Sequence, residues 1–336
     1  VFNSATNAVV TAFYAFSPTF TGGVRVAVDD INGDGVPDII CAAGPGGGPQ
    51  VIVIDGTKLN QLQSNGQIAN SALIASFYAF NAPSFTGGVY VAAATASSGQ
   101  NWLVVGAGAG GSSQVTVYTA KAIVTAGQTG ANPASIANFF AFTPSFTGGV
   151  TVAVGDTTGS GKLNVICGAG VGGGPQVIVV NGNTFGSSFT TQSNGQVLAS
   201  SELASFFAFS PSFTGGVFVS GGVFSGRYNL IIGAGPGGGP QVIAVNGSQL
   251  TQLQSNGQIA NSAVLDSFFA MPTGFAGGVR VGFDAAFGMT PRPAILTAAG
   301  PGGSPELNVF DPVTQKSIDA YFFLPQSFTG GAFASA

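Results

Sequence analysis

Residues 20–55 read FTGGVRVAVDDINGDGVPDIICAAGPGGGPQVIVID, and the order of parts in this stretch decides the fold. A glycine pair leads into an alternating apolar run, VRVAV (24–28). An acidic loop follows, then a second apolar run, DIICAA, then a Gly/Pro turn and a third run, QVIVID (50–55). Short β-type runs bounded by turn residues read as strands joined by hairpins. FTGGV or a close variant starts again at Phe85, Phe146, Phe213, Phe275 and Phe328, with spacings of 65, 61, 67, 62 and 53 residues. Each full unit repeats the order. VYVAA, VTVAV, VFVSG and VRVGF take the first place, and WLVVGA, NVICGA, NLIIGA and AILTAA the second. A third strand such as QVIAVN (241–246) and an aromatic fourth such as SFYAF (76–80) or SFFAF (205–209) complete the unit.

Four antiparallel strands recurring radially predict an all-β fold, a β-propeller of four-stranded blades in one domain over 1–336. A stacked solenoid is the competing repeat architecture, but four strands joined by tight turns suit a blade better. The units run approximately over 20–84, 85–145, 146–212, 213–274 and 275–327. Sheets packed about 10 Å apart need large flat side chains between them, which assigns most of the 29 Phe to the joints between blades. The connections carry no long amphipathic pattern, so no helix is expected in them. The termini resemble parts of a unit. Residues 1–16 parallel 309–323, a third strand plus a fourth, while FTGGAFASA at 328–336 starts a first strand. Five complete blades are therefore expected, and two arrangements remain for the ends: extra segments, or an incomplete sixth blade joined from both. The run QLQSNGQIANSA, identical at Gln61–Ala72 and Gln252–Ala263 three repeats apart, favours six.

The composition narrows the function classes. Of 336 residues, 54 are Gly, only 6% are charged and none is His, so turns and a neutral polar surface dominate. Eight basic residues and a net charge of -4 leave no basic patch, which argues against a nucleic-acid partner. Gly, Ser, Asn and Gln interrupt each apolar run, so membrane insertion is not expected. The chain starts with Val and shows no cleavable signal pattern, as a mature product or fragment would. Cys41 and Cys167 stand at the same place in DIICAAG and NVICGAG, so they read as equivalent core positions and not as a disulfide.

The acidic loop DINGDGVPD puts Asp30, Asn32, Asp34 and Asp38 at positions 1, 3, 5 and 9, with the Val36 backbone carbonyl at position 7. Alternate oxygen donors on a tight loop converge on a hard cation, and Ca2+ tolerates such irregular cages better than Mg2+. Four close acids repel one another without a cation. Asp29 falls outside the alternation. Cys41 stands where an EF-hand would need Glu, and the loop joins strands, so the motif is not an EF-hand. A second, weaker candidate is DTTGSGKLN, with Asp156, Thr158, Ser160 and Asn164 at the same spacing. The corresponding TASSGQNW, GVFSGRYN and DAAFGMTP have lost the carboxylate set. The other half of the stretch, GPGGGP (44–49), lacks the Gly-Lys-Ser/Thr and the following helix of a phosphate loop. It recurs as GVGGGP (170–175), GPGGGP (235–240) and GPGGSP (300–305), and more loosely as GAGGSS (108–113), as a turn between second and third strands would.

D-x-N-x-D-G-x-x-D in the first hairpin followed by GAGPGGGP-like turns resembles the FG-GAP/VCBS group of β-propeller repeats. The likeness is to repeats of large secreted or cell-surface bacterial proteins, including those of planctomycetes, and more remotely to the calcium-binding propeller of integrin alpha subunits. It implies calcium at Asp30, Asn32, Asp34 and Asp38, an extracellular or cell-surface setting, and roles in adhesion, protein contact or carbohydrate contact. Integrin propellers have seven blades, so blade number does not carry over, and the loss of acids in most units departs from the family pattern.

An enzyme needs an acid, base, nucleophile or metal-bound water at its substrate. With no His, and the one carboxylate cluster committed to a cation, the chain reads as a non-enzymatic structural, assembly or adhesion propeller. Its partners are then copies of itself or other cell-surface proteins. The alternative is a lectin-like module binding carbohydrate or protein, for which Trp102 is the only Trp. A polysaccharide-acting enzyme is the remote alternative, with Arg227 beside Tyr228 as its nearest candidate pair. Asn246 in NGS matches a glycosylation acceptor.

Overall fold

The computed structural model describes residues 1–82, 84–186 and 188–336. They form five four-stranded antiparallel sheets, each built from consecutive strands. Blade 1 comprises β1 (Val24–Asp29), β2 (Asp38–Ala43), β3 (Gln50–Ile54) and β4 (Leu73–Tyr78). Blade 2 comprises β5 (Val89–Thr95), β6 (Asn101–Ala107), β7 (Gln114–Thr119) and β8 (Ser135–Phe140). Blade 3 comprises β9 (Val150–Gly155), β10 (Asn164–Ala169), β11 (Gln176–Val180) and β12 (Glu202–Phe207). Blade 4 comprises β13 (Val217–Phe224), β14 (Arg227–Ala234), β15 (Gln241–Asn246) and β16 (Val264–Phe269). Blade 5 comprises β17 (Val279–Phe287), β18 (Arg292–Ala299), β19 (Glu306–Phe310) and β20 (Ser317–Phe322). The first strands adjoin in the order β1, β5, β9, β13, β17, as the innermost strands of a propeller do.

The register repeats with the sequence. Cys41 pairs with Val26 and Ile52, and Cys167 with Val152 and Ile178; both thiols are free and buried. Between blades the core is mainly aliphatic, with aromatic contacts set into it. Phe77 of blade 1 meets Tyr118 of blade 2 with centroids 5.3 Å apart, and Phe268 of blade 4 meets Phe310 of blade 5 at 4.8 Å. Three of the Phe residues before a glycine pair pack edge-on against a Phe four residues upstream, Phe16–Phe20 at 5.9 Å, Phe142–Phe146 at 6.0 Å and Phe209–Phe213 at 6.3 Å. Edge-to-face pairs of this kind lock neighbouring sheets in one geometry.

The Gly/Pro turns join blades through backbone. Gly46, Gly110, Gly172 and Gly237 each donate an N–H to the residue before the next unit's glycine pair, at 2.7, 2.8, 2.8 and 2.9 Å. Gly88 has φ +69°, and a Cβ there would fall on the backbone of Gly44 in the preceding turn. Only glycine meets both demands at that joint.

Three expectations need correction. The termini make no sixth blade: residues 1–19 and 328–336 contribute no strand, and the N-terminal segment holds only a lone Phe2–Val9 bridge among its own residues. Both ends nevertheless take the places of unit parts. Gly302 donates to the Thr329 carbonyl at 2.8 Å, as the other turns do, and Tyr14 bridges Gln67 as Phe140 bridges Gln196. With no second strand, an inner and an outer segment lie too far apart to bond, because adjacent strands must sit about 4.8 Å apart. The second correction is a helix, α1 (Ala120–Thr129), in the connection of blade 2. Thr119 caps its start through the Ala122 N–H, and Gly130 in the left-handed region ends it. The third concerns the duplicated QLQSNGQIANSA run, which marks a shared task and not a sixth blade. Its hairpins and the related one at 192–196 bridge in parallel to Tyr14, Phe140 and Phe207, so they cover the outer edge that precedes them. Helix α1 covers β4 in the same way.

Candidate functional site

The acidic loop lies between β1 and β2, where two glycines with φ +79° and +86°, Gly33 and Gly35, reverse the chain. Asp30 organises it. Its Oδ1 accepts the N–H groups of Gly33 (2.8 Å) and Asp34 (3.1 Å), and its Oδ2 accepts that of Gly35 (2.9 Å). Asn32 Oδ1 accepts the Asp34 N–H at 2.8 Å, while its Nδ2 donates to Asp34 Oδ2 at 3.0 Å. Asp34 Oδ1 accepts the Val36 N–H at 2.8 Å. Asp30, Asn32, Asp34 and Val36 thus share one surface loop.

Asp38 has a different place. It is 0% exposed at the start of β2. Its Oδ2 accepts the N–H groups of Ile31 (2.9 Å) and Asn32 (3.2 Å), and its Oδ1 accepts that of Gly56 (3.0 Å). The carboxylate therefore ties the loop to the segment after β3. Burial raises its pKa, and the three amides oppose that shift. Asp29 also has a raised pKa because of burial, opposed by the Thr95 hydroxyl of blade 2, which donates to it at 3.1 Å.

The structural residue that the motif conceals is the equivalent of Asp38 elsewhere. Asn164 Oδ1 accepts the Gly182 N–H and Asn229 Oδ1 accepts the Gly247 N–H, both at 3.2 Å. The signal was present in the sequence: D, N and N open DIICAA, NVICGA and NLIIGA. In blade 3, Asp156 repeats the role of Asp30, accepting from Thr158, Ser160 and Gly161. Thr158 donates to Ser160 at 2.9 Å, and Asn164 is buried below the loop.

Among the described residues no group of three or more His, Cys, Asp or Glu stands assembled as a metal cage. The donor chemistry can be tested by counting acceptor sites. A carboxylate offers about four lone-pair sites, and the contacts above leave Asp30 and Asp38 about one each and Asp34 about two. Asn32 Oδ1, the Val36 carbonyl and water supply the remainder of the six to eight oxygens that Ca2+ takes. The blade 1 loop fits a calcium ion by donor count; the blade 3 loop, with one carboxylate, offers far less charge.

Other sequence candidates fall apart as sites. Trp102 is 3% exposed and packs against Phe185 at 5.4 Å, so its ring belongs to the joint between blades 2 and 3. Tyr228 donates to the Val154 carbonyl, while Arg227 bonds Asn246 Oδ1 and Ser248 Oγ on the surface. The adjacent residues point to different environments. Sequence reading missed two clefts at blade joints. One of about 230 Å³ is lined by Phe142, Gln176, Gln196 and Glu202. One of about 400 Å³ lies a blade later, with Phe209, Gln241 and Gln258 at the matching places and its carboxylate, Asp266, two residues further along the fourth strand. Burial raises the carboxyl pKa of both Glu202 and Asp266.

Comparison with known proteins places an FG-GAP repeat over residues 22–68, the unit that carries the acidic loop. No curated protein sequence matches the chain. Among solved structures it is similar to U3-55K, with TM-score 0.46 and 10% identity over 90% of this chain and 66% of that one. It is also similar to BamB from Moraxella catarrhalis, with TM-score 0.38 and 9% identity over 90% of this chain and 65% of that one. A rhamnogalacturonan lyase from Bacillus licheniformis matches with TM-score 0.31 and 12% identity over 90% and 69% of the two chains. The chain thus spans about two thirds of the length of these structures. No described helix is long and apolar enough to cross a membrane.

Proposed function

We propose that the chain is a non-enzymatic contact propeller of an extracellular or cell-surface protein, working by association with copies of itself or with other surface proteins. The observation that carries this reading is the outer edge of blade 4. Where β4, β8 and β12 are covered by α1 or by a neighbouring hairpin, β16 has no such bridge among the described residues. Its outward side chains include Leu265 at 45% and Phe269 at 54% exposure. An uncovered edge strand with apolar side chains invites pairing with another chain. Scarce charge elsewhere leaves little electrostatic repulsion to oppose such contacts. Asp30, Asn32, Asp34, Val36 through its carbonyl, and the remaining lone pair of Asp38 hold calcium in this reading. The ion neutralises the loop and stiffens the first hairpin.

The test is hydrogen exchange followed against protein concentration. Amides of β16 gain protection as concentration rises if its edge pairs; protection that stays constant while the protein self-associates elsewhere overturns the assignment. The repeated joint clefts favour a second reading, carbohydrate contact. Each sets amides and one carboxylate beside a Phe ring, the chemistry that holds sugar hydroxyls and a sugar face. Glycan-array binding abolished by Asp266→Asn would select it.

A further inference from the structure

The second residue of each innermost strand lines the axis of the ring: Arg25, Tyr90, Thr151, Phe218 and Arg280. Phe333, five residues after Phe328 as Arg25 is after Phe20, joins them. Tyr90, Phe218 and Phe333 form a triangle of rings, with centroids 6.4, 6.2 and 6.2 Å apart and each pair near edge-on. The two arginines flank it. Arg25 lies 3.9 Å over Tyr90 and 5.7 Å from Phe333; Arg280 lies 5.1 Å from Phe218 and 5.0 Å from Phe333. The pattern of hydrogen bonds around this ring is uneven. Arg25 Nη1 donates to the Val89 carbonyl at 3.1 Å, and Thr151 Oγ1 to the Val217 carbonyl at 2.9 Å, each capping the next blade's first strand. No such bond holds Arg280.

This leaves an electrostatic problem. Arg25 is 7% exposed and its Nε has no partner; Nε and Nη1 of Arg280 have none either. Among the described residues the single ion pair is Lys58–Asp55, so no carboxylate compensates either guanidinium. Two of only eight basic residues thus face one axis with like charge. A cation–π contact offsets part of the desolvation but satisfies no N–H. Buried guanidinium donors are satisfied by planar or tetrahedral oxyanions, which match their geometry. Burial lowers the Arg280 pKa to about 10, with Arg25 adding to the shift. Arg280 Nη1 rests against Gly300 of the GPGGSP turn, where the absent side chain leaves room. Three rings and two guanidiniums share this place within about 6 Å of one another, so the occupant must be small.

We propose that the glycine-turn end of the axial channel binds one small oxyanion (a sulfate, phosphate or carboxylate group) between Arg25 and Arg280. The aromatic triangle forms its floor. The anion neutralises the two guanidiniums and fastens β1 to β17 across the interval between blades 1 and 5.

Isothermal titration with sodium sulfate, sodium phosphate and sodium acetate, at ionic strength fixed with NaCl, tests this and separates the three chemistries. One saturable site per chain is expected in at least one arm. Arg280→Gln should weaken it at least about tenfold, the loss expected on removing a charge-assisted hydrogen bond. Arg227→Gln, on the outer surface, should leave it unchanged. No saturable heat in any arm, or equal affinity in Arg280→Gln, overturns the proposal. Should Arg280→Gln not fold, the Arg Nε–H resonances of the native chain decide: two must shift on titration, and two that stay fixed refute the site.

Discussion

Asp38→Asn, measured without calcium, isolates the structural role of the buried carboxylate beneath the acidic loop. The substitution keeps one acceptor, so the Gly56 N–H retains its bond, as Gly182 and Gly247 do with Asn164 and Asn229. It loses the second oxygen, which accepts Ile31 at 2.9 Å and Asn32 at 3.2 Å. Blades 3 and 4 give their Asn Nδ2 an acceptor, Thr157 Oγ1 or the Phe224 carbonyl. Blade 1 has two N–H donors facing it instead. Hydrogen bonds to a charged group contribute about 1.5–3 kcal/mol each, and relief of the carboxylate's desolvation returns part of that. A net loss of about 2–3 kcal/mol follows, measured by chemical denaturation in a chelator, so that no calcium contributes. Asp34→Asn, on the exposed side of the same loop, should cost less than about 0.5 kcal/mol under those conditions. Hydrogen exchange should report the Asp38→Asn loss as faster exchange over residues 30–38. If Asp38→Asn and Asp34→Asn cost the same in chelator, Asp38 is not the structural tie described above.

Three further outcomes are expected. Gly88→Ala places a Cβ on the Gly44 backbone at φ +69°, whereas Gly23→Ala, at φ +78°, meets nothing within 4 Å. Thermal denaturation should show about 1–2 kcal/mol lost for Gly23→Ala and about 2–5 kcal/mol for Gly88→Ala. Calcium titration of the native chain should give one tight site that Asp34→Ala abolishes; unchanged affinity would refute the cage. Stability should also fall at alkaline pH. Burial raises the thiol of Cys41 to about 12 and that of Cys167 further, and the Tyr118 phenol to about 12. The unfolded chain then releases protons that the folded chain keeps, so stability declines as pH rises above about 9, by up to about 1.4 kcal/mol per pH unit for each buried thiol. The lowered Arg280 value acts in the opposite sense above about 10. Denaturation curves of Cys41→Ala/Cys167→Ala should show a shallower decline than the native chain.

The five blades were legible because the repeat states itself at several levels at once. Glycine pair, alternating strand, Gly/Pro turn and aromatic strand recur in one order, so each unit confirms the others. The close approach of Gly88 to the Gly44 backbone was not legible, because it joins two units that meet only in the folded ring. Nor was the fate of the termini, since FTGG and residues 12–16 match unit parts by sequence and dock like unit parts. What decides against a blade is the missing second strand, a matter of distance between segments. Helix α1 escaped notice because its apolar positions, Ala120, Ile123 and Ala126, fill barely three turns of a variable connection. At the site, the motif spacing groups Asp38 with Asp30 and Asp34. Only the fold reveals that Asp38 lies buried beneath the loop with Gly56 as its partner. The axial arginines were invisible for a related reason: positions some 255 residues apart meet only when the ring forms.

Sedimentation of the native chain across a concentration series, beside Leu265→Lys/Phe269→Lys, tests the central claim most directly. Charges on the outward face of β16 block edge pairing without touching the blade core. A native species heavier than one 33.1 kDa chain, returned to monomer by the double variant with its fold intact, is the predicted result. A native chain that stays monomeric throughout, or one whose association the two lysines leave unchanged, would contradict the contact role assigned to that edge.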